Sequence, residues 1–313
     1  MGMPADERVW RTLAGEAVDR PPLCLWHHFQ PGGSPRALAD ATVDFFGGFT
    51  LDLYKVMPDL PYPDPPAGVG GLELWEALPE LGAAAGEPLH PMAEAVAAVR
   101  LARPESVVLA TVFSPLALAL RFARGGPAFA RQAAADASAV RRGLATLTRN
   151  TAALCRACLQ AGADGIYFAT AGLGDDLLSE ADYRAFGRPT DLEVLAAAAP
   201  GRCTVVHLHA ARGLNWRLAA DYPAAVVSWS DRTTGIPLRE VAAALPGRTL
   251  MGGIDETGAI VRGDRTALEA ELRDAVRQTG GRRLILAGGC SLPDDVNPDH
   301  IHLARGLVDD LAG

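Results

Sequence analysis

The stretch Cys203-Thr-Val-Val-His-Leu-His209 decides the fold, because it joins a short apolar run to two polar residues at its end. Thr204–Val206 is nearly continuously apolar, and so is Leu284–Leu286 near the end of the sequence. Strands of this kind lie in parallel sheets that are covered on both faces. Side chains alternate along a strand, so His207 and His209 leave the same face. The pattern therefore predicts a buried parallel strand that presents two imidazoles at its carboxyl end.

Similar short runs alternate with helical patterns along the whole chain. Strands are predicted over Leu23–His28, Leu51–Met57, Val107–Phe113, Gly165–Thr170, Cys203–His209, Ala225–Ser230, Thr249–Ile254 and Leu284–Gly289. Helices are predicted over Arg36–Phe46, Met92–Leu101, Pro115–Arg124, Asp136–Ala161, Ser179–Ala199, Gly213–Ala220, Pro237–Leu245, Arg265–Thr279 and Pro298–Leu311. Eight strands, each followed by a helix, predict an α/β fold of the (β/α)8 TIM barrel class, with residues 1–313 as a single domain. No Gly-x-Gly-x-x-Gly follows the first strand, which excludes a dinucleotide-binding sheet.

A long irregular segment, Leu60–Pro91, follows the second predicted strand and is rich in proline and glycine. Loops of this length within a compact domain are usually functional, for example as lids. Trp75 and the residues before it favour a short helix within this segment. We expect that helix to lie over the mouth of the barrel.

Composition limits the class of partner. The 313 residues are 49% hydrophobic and 21% charged, as in a globular protein with ample core, and the net charge of −8 argues against nucleic-acid binding. No apolar run is long enough to cross a bilayer, and residues 1–11 lack the apolar core of a signal peptide. We therefore expect a cytoplasmic protein that acts on a small molecule, without membrane contact.

Catalytic residues of such barrels collect at the carboxyl ends of the strands. These positions carry His27, His28, Met57, Asp59, Ser114, Thr170, His207, His209, Asp231, Asp255 and Cys290. Lys55 and Asp59 share parity on the second strand, unless Pro58 ends that strand, and so they are expected to face one lumen. Lys55 is also the only lysine among 29 basic residues. Its retention favours a role that a guanidinium cannot fill, such as a compact ammonium in a narrow site.

Two histidines and a cysteine at strand ends can supply three ligands of a zinc ion and leave one position open. His207, His209 and Cys290 are the candidate metal ligands, and Asp231 is a candidate fourth ligand or a partner that orients an imidazole. Cys155 and Cys158 lie on one face of a long predicted helix. These two are interpreted as small buried residues.

Several segments of the chain resemble the uroporphyrinogen decarboxylase superfamily. They are Arg8–Pro22, Ala161–Phe168, Leu178–Phe186, Gly252–Asp255 and Gly288–Pro298. The resemblance covers nearly the whole chain in the right order, and it implies a barrel, in agreement with the strand count. The superfamily contains porphyrinogen decarboxylases, zinc-dependent corrinoid methyltransferases and, more distantly, cobalamin-independent methionine synthase.

The resemblance to the decarboxylases rests on Asp59, which stands where their essential aspartate follows the second strand. Other positions depart from that pattern. His27 and Pro31 replace two arginines that hold substrate carboxylates, Arg121 replaces an active-site tyrosine, and Cys290 replaces a late histidine.

The methyltransferases of the superfamily carry His-x-Cys after the fifth strand and Cys after the eighth. His207 and Cys290 match those positions, whereas His209 stands in place of the first cysteine. A set of two histidines and one cysteine still binds zinc, but with one thiolate fewer the metal is a harder Lewis acid.

Three functions follow from the resemblance. The first, which we favour, is a zinc-dependent methyltransferase that activates a thiol for methyl transfer from a corrinoid or a related donor, with a corrinoid protein as a partner. The second is a metal-free porphyrinogen decarboxylase that acts through Asp59. The third is a non-catalytic binder of tetrapyrroles or corrinoids. Asp59 and Lys55 are the expected catalytic residues, and the expected substrate contacts are His27, His28, Arg121 and Tyr183. The resemblance also suggests a homodimer.

Overall fold

A computed structural model of the protein describes residues 2–175 and 177–311. Its eight strands are β1 (Leu23–Cys24), β2 (Leu53–Val56), β3 (Val107–Phe113), β4 (Gly165–Thr170), β5 (Val205–Leu208), β6 (Val226–Ser228), β7 (Thr249–Ile254) and β8 (Leu284–Gly288). The α-helices are α1 (Ala5–Ala14), α2 (Pro35–Gly48), α3 (Glu73–Ala77), α4 (His90–Ala102), α5 (Pro115–Phe122), α6 (Gly126–Ala135), α7 (Ala137–Gln160), α8 (Glu180–Asp182), α9 (Arg188–Ala198), α10 (Asp231–Thr234), α11 (Leu238–Ala244), α12 (Ala259–Arg262), α13 (Arg265–Thr279) and α14 (Pro298–Asp309). A π-helical turn (Tyr183–Gly187) joins α8 to α9, and a 3-10 turn covers Trp216–Ala219.

All strand pairs are parallel, in the order β1-β8-β7-β6-β5-β4-β3-β2. The helices surround this sheet, so the predicted (β/α)8 barrel is confirmed. Residues that pair across neighbouring strands point to the same side of the sheet. Lys55 pairs with Leu109, and Thr111 pairs with Tyr167, so these four side chains share the interior. His207 continues this interior row beside Ser228. Among the described residues, no helix is long and apolar enough to cross a membrane.

Strand bounds agree with the prediction where the ladder continues to the mouth, and they differ where it stops early. β3, β4 and β7 have the predicted limits. β1 was predicted to reach His28 but ends at Cys24, because the ladder with β8 includes only Leu23 and Cys24. Beyond Cys24, the carbonyl of Trp26 accepts from the N–H of Leu292, which lies after the end of β8. The helix predicted over Ser179–Ala199 is interrupted by the π-helical turn.

The barrel closes between β1 and β2 through one buried carboxylate. The N–H of Asp52 donates to the carbonyl of Leu23 (3.0 Å), and the N–H of Leu23 donates to the Asp52 carboxylate (2.8 Å). The same carboxylate accepts hydrogen bonds from Arg8 (2.6 Å), Arg20 (2.7 Å) and Arg305 (3.3 Å). The contact between β1 and β2 around Asp52, here called the seam, therefore depends on buried ion pairs, because the two short strands share almost no backbone hydrogen bonds.

The long segment after β2 contains the expected short helix, α3, but the helix does not cover the mouth. Trp75 is buried against α7, where a Cβ on Gly143 would lie 2.7 Å from its ring. Its ring also meets Phe129 of α6 edge-on at 5.7 Å. The large apolar indole is stabilised by burial between helices, so α3 joins the outer layer.

Candidate functional site

His207, His209 and Cys290 come together at the mouth of the barrel. One ligand atom from each lies within 4.8 Å of the others. His207 is buried, His209 is exposed and Cys290 is intermediate, so the cluster has a protein side and an open side. Its two histidines reach the same mouth because alternate residues of a strand share a face, although β5 itself ends between them at Leu208.

The backbone around Cys290 is held tightly. A Cβ on Gly289 would lie 2.2 Å from the Cα of Ser230, so only glycine fits where the chain leaves β8. The N–H of Gly289 donates to Glu256 (3.1 Å), and the hydroxyl of Ser230 donates to the other oxygen of the same carboxylate (2.9 Å). Glu256 therefore acts as a positioning residue for the turn that presents Cys290.

The thiol of Cys290 is strongly acidic. Burial alone would raise its pKa, but hydrogen bonds and charge interactions with His207 and His209 outweigh that effect and lower the pKa to about 4. The other four cysteines are buried and have no disulfide partner, and burial raises the pKa of Cys155 and Cys158. The interpretation of that pair as small buried residues is confirmed.

His207 is oriented by two neighbours. Its ring stacks on Tyr167, with centroids 5.5 Å apart and planes inclined by 27°. Its Nδ1 lies 3.4 Å from the hydroxyl oxygen of Ser228. A partner at Nδ1 fixes the ring and leaves Nε2 available to a metal.

Lys55 lies fully inside the barrel, between aromatic rings. Its Nζ is 4.2 Å from the centroid of Tyr167 and 4.8 Å from that of Trp26, and it donates to the sulfur of Met57 (3.0 Å). Burial lowers the pKa of Lys55 to about 8, partly offset by the nearby thiols and Asp59. The rings stabilise the ammonium by cation–π attraction in place of a carboxylate.

Two neighbouring cavities open at this mouth. The inner pocket, of about 220 Å³, is lined by the three candidate ligands together with Lys55, Trp26, His28 and Tyr167. The side pocket, of about 350 Å³, lies beside α4 and α7 and is lined by Asp59, Arg121 and mainly apolar residues. Pro58, Thr111 and Phe113 line both, so the two cavities share a wall.

Asp59 and Lys55 do not line the same pocket. Lys55 and Met57 face the inner pocket, but β2 ends at Val56, and the chain turns through Pro58 so that Asp59 faces the side pocket. The carboxylate of Asp59 accepts from His28 Nδ1 (2.6 Å) and from the N–H of Phe29 (2.6 Å). His28 therefore links the two cavities, and its bond to Asp59 raises the pKa of the imidazole.

The other expected substrate contacts differ in position. Among the described residues, neither His27 nor Tyr183 lines either pocket. His27 packs edge-on against Phe29 and Phe45, with centroids 4.8 and 4.7 Å away. It points outward because His28 has the inward parity on this stretch.

Tyr183 is completely buried, and its hydroxyl donates to Asp191 (2.7 Å). Arg121 does line the side pocket, where it forms an ion pair with Asp64. Asp231 accepts from the N–H of Gly253 (2.8 Å) and stands outside the cluster of candidate ligands.

Sequence reasoning missed Tyr167 and Glu256. Tyr167 pairs with Val205 and so shares the interior parity of His207, but this register is visible only in the structure. Counting along β7 favours Asp255 over Glu256, but the strand ends at Ile254 and the count no longer applies. Asp255 instead accepts from the N–H and hydroxyl of Thr257 in a local turn.

Comparison with known proteins agrees with this architecture. The sequence profile described as "Uroporphyrinogen decarboxylase (URO-D)" matches residues 58–310. The structure of a methyltransferase from Methanosarcina mazei superposes with a TM-score of 0.79 at 16% identity, covering 99% of this chain and 100% of that one. A B12-independent methionine synthase from Shewanella sp. W3-18-1 gives a TM-score of 0.48 at 10% identity, covering 71% of this chain and 65% of that one. No curated protein matches the sequence.

Proposed function

This chain belongs to the uroporphyrinogen decarboxylase family, and we propose that it is a zinc-dependent methyltransferase that activates a thiol. The observation that carries the proposal is the convergence of His207, His209 and Cys290 within 4.8 Å at the mouth of the barrel. Three such donors with an open side are the ligand set of catalytic zinc sites.

The donor chemistry fits zinc in two further respects. A metal-bound cysteine must be a thiolate, and the low pKa of Cys290 provides one at neutral pH. The partner of His207 at Nδ1 supplies the fixed ring orientation that metal sites require. A zinc ion held by these residues would lower the pKa of a bound thiol, so that the thiol could react as a thiolate at neutral pH.

The remaining residues of the inner pocket have supporting roles. Glu256 and Ser230 hold the turn that presents Cys290. Lys55 places a positive charge near the thiolate of Cys290, where low solvent access strengthens its effect. The rings of Trp26 and Tyr167 exclude water on that side.

Methyl transfer then requires one substitution at carbon. The substrate sulfur forms a bond to the methyl carbon, and the bond from that carbon to the donor breaks with its electron pair remaining on the donor. The resemblance to the corrinoid methyltransferases supports a corrinoid, or a related methyl carrier, as the donor.

The metal-free decarboxylase is supported less well. Asp59 is held firmly enough to stabilise a cation. A substrate with several carboxylates needs several cations, however, and of the described residues lining the side pocket only Arg121 is basic, already paired with Asp64. The side pocket therefore lacks the cations that would offset the cost of removing the substrate's carboxylates from water.

The deciding experiment is metal analysis of protein purified without an affinity tag or added zinc. We expect about one zinc per chain in the wild type and loss of most of it in Cys290→Ser. Cys155→Ser and Cys158→Ser are matched controls, because both thiols are buried far along α7 and should leave the zinc in place. Equal zinc in all three variants, or none in the wild type, would contradict the proposal.

A further inference from the structure

The side pocket differs in character from the inner pocket that it adjoins. Its walls include four prolines, Pro58, Pro61, Pro88 and Pro91. Proline rings lose no side-chain freedom on burial, so these walls are already in place before a ligand arrives. The volume of about 350 Å³ lies within the range of cavities that hold small molecules.

One threonine in this cavity lacks the bond that similar threonines make. Thr148 of α7 donates to the carbonyl of Leu144 (2.7 Å), and Thr42 of α2 donates to that of Leu38 (2.7 Å). Thr151 lines the side pocket and is 1% exposed, yet its hydroxyl has no partner within the described structure. A buried hydroxyl without a partner costs free energy, which a bound polar group would recover.

A second such hydroxyl lies on the wall between the cavities. Thr111 is 4% exposed, its hydroxyl also has no partner within the described chain, and it lines both pockets. Beside it, Phe113 is the last residue of β3 and is 40% exposed, which is unusual for a large apolar side chain. An aromatic face at this junction suits a flat ligand that passes from one cavity to the other.

The charges in the side pocket disfavour an anion. Arg121 is paired with Asp64, and the carboxylate of Asp59 faces the same space. In this cavity, as far as the structure describes it, every cation has a carboxylate partner, so an acidic group would be buried without compensation.

We propose that the thiol substrate carries an uncharged aromatic body with one polar group, and that this body lies in the side pocket while its sulfur reaches the inner pocket. The assignment of the sulfur rests on the proposed function. The assignment of the body rests on the walls and hydroxyls of the side pocket.

The body can be tested without metal. We expect metal-free protein to bind 4-ethylphenol in isothermal titration at least tenfold more tightly than the anionic analogue 4-ethylbenzoate. Thr151→Val should weaken 4-ethylphenol by about three- to tenfold, the value of one hydrogen bond. Thr148→Val is the control on the same helix, because its hydroxyl is already satisfied within α7, and it should leave binding unchanged. Met92→Trp, which fills the cavity from α4, should abolish binding while far-UV circular dichroism confirms the fold.

The sulfur is tested with zinc-loaded protein. We expect 4-(2-mercaptoethyl)phenol to bind more tightly than 3-mercaptopropionate. Thr151→Val should weaken the binding of 4-(2-mercaptoethyl)phenol. Tighter binding of 3-mercaptopropionate, or equal effects of Thr151→Val and Thr148→Val, would overturn the inference. Failure of the proposed function looks different, because zinc would then be absent while metal-free protein still bound 4-ethylphenol.

Discussion

The ammonium of Lys55 lies 4.2 Å from the centre of the Tyr167 ring, and the same ring stacks on His207. Tyr167 thus joins the buried cation to the candidate ligand cluster. A buried ammonium without a carboxylate costs stability, and the chain bears that cost at the bottom of a pocket that contains an acidic thiol.

Lys55→Met should therefore stabilise the protein while impairing the site. The pKa of Lys55 is lowered by burial to about 8, so the folded state loses stability as the pH falls through that value. At pH 7 we expect Lys55→Met to be more stable by about 1–3 kcal/mol in urea unfolding, with the difference vanishing above about pH 10.5. Lys55→Arg should instead be destabilised by overpacking, by about 1–3 kcal/mol. A Lys55→Met variant less stable than the wild type at pH 7 would show that the ammonium is not strained.

Cys290 should be the reactive cysteine of metal-free protein. Its pKa of about 4 keeps the thiolate populated at every pH above about 5, and the thiol is protonated only as the pH falls through 4. We expect iodoacetamide to modify Cys290 at rates that differ by less than about threefold between pH 5.5 and pH 8, whereas a thiol of ordinary pKa would slow by about two orders of magnitude. Peptide mass spectrometry identifies the modified residue, and added zinc should protect it. Modification of a different cysteine first would be inconsistent with this geometry.

Asp191 should make stability depend on pH. Burial raises its pKa to about 7, despite hydrogen bonds from Tyr183 and Tyr222 that favour the carboxylate. The folded state therefore holds a proton that the unfolded chain releases near pH 4, and the stability gained from it is lost as the pH rises through 7. We expect this group to cost on the order of 2 kcal/mol between pH 5 and pH 8. Asp191→Asn should lack that part of the loss in urea unfolding, and an identical pH dependence in the two proteins would exclude the assignment.

Asp52→Asn should be among the most destabilising single changes. It would leave Arg8, Arg20 and Arg305 facing one another without a buried carboxylate, at a cost of about 3–5 kcal/mol. Asp309→Asn is a matched control, because Asp309 pairs with Arg20 and Arg305 but its side chain is 59% exposed, and it should cost less than about 1 kcal/mol. Urea midpoints at constant slope measure both, and similar values would show that the seam does not depend on buried charge.

The fold and the candidate ligand cluster could be predicted from the sequence because both follow from alternation along buried parallel strands. β3, β4 and β7 have the expected limits, and His207 and His209 reach the same mouth. Alternation ceases where a strand ends, and there the prediction was wrong. The turn through Pro58 places Asp59 at the side pocket, whereas Lys55 lines the inner pocket.

Two other residues show what a single sequence does not contain. His27 points outward because its neighbours Trp26 and His28 point into the barrel. The inward direction of Trp26 and His28 is recognised only in the structure, where both line the same pocket as Lys55. Tyr183 lies within Leu178–Phe186, a segment that resembles the family, but its burial against Tyr222 comes from packing between residues 39 positions apart in the chain. Such contacts have no signature in local periodicity.

The seam at Asp52 also bears on the order in which the protein can assemble on the ribosome. Arg8 and Arg20 leave the exit tunnel with Asp52, so the first two strands can be joined while most of the chain is still unmade. Arg305 lies 253 positions after Asp52, and the last guanidinium is therefore synthesised only after strands β3 to β8. The contact between β1 and β2 thus begins to form early but is completed late. Nascent chains should therefore stay sensitive to proteases at β1 and β2 until α14 has emerged.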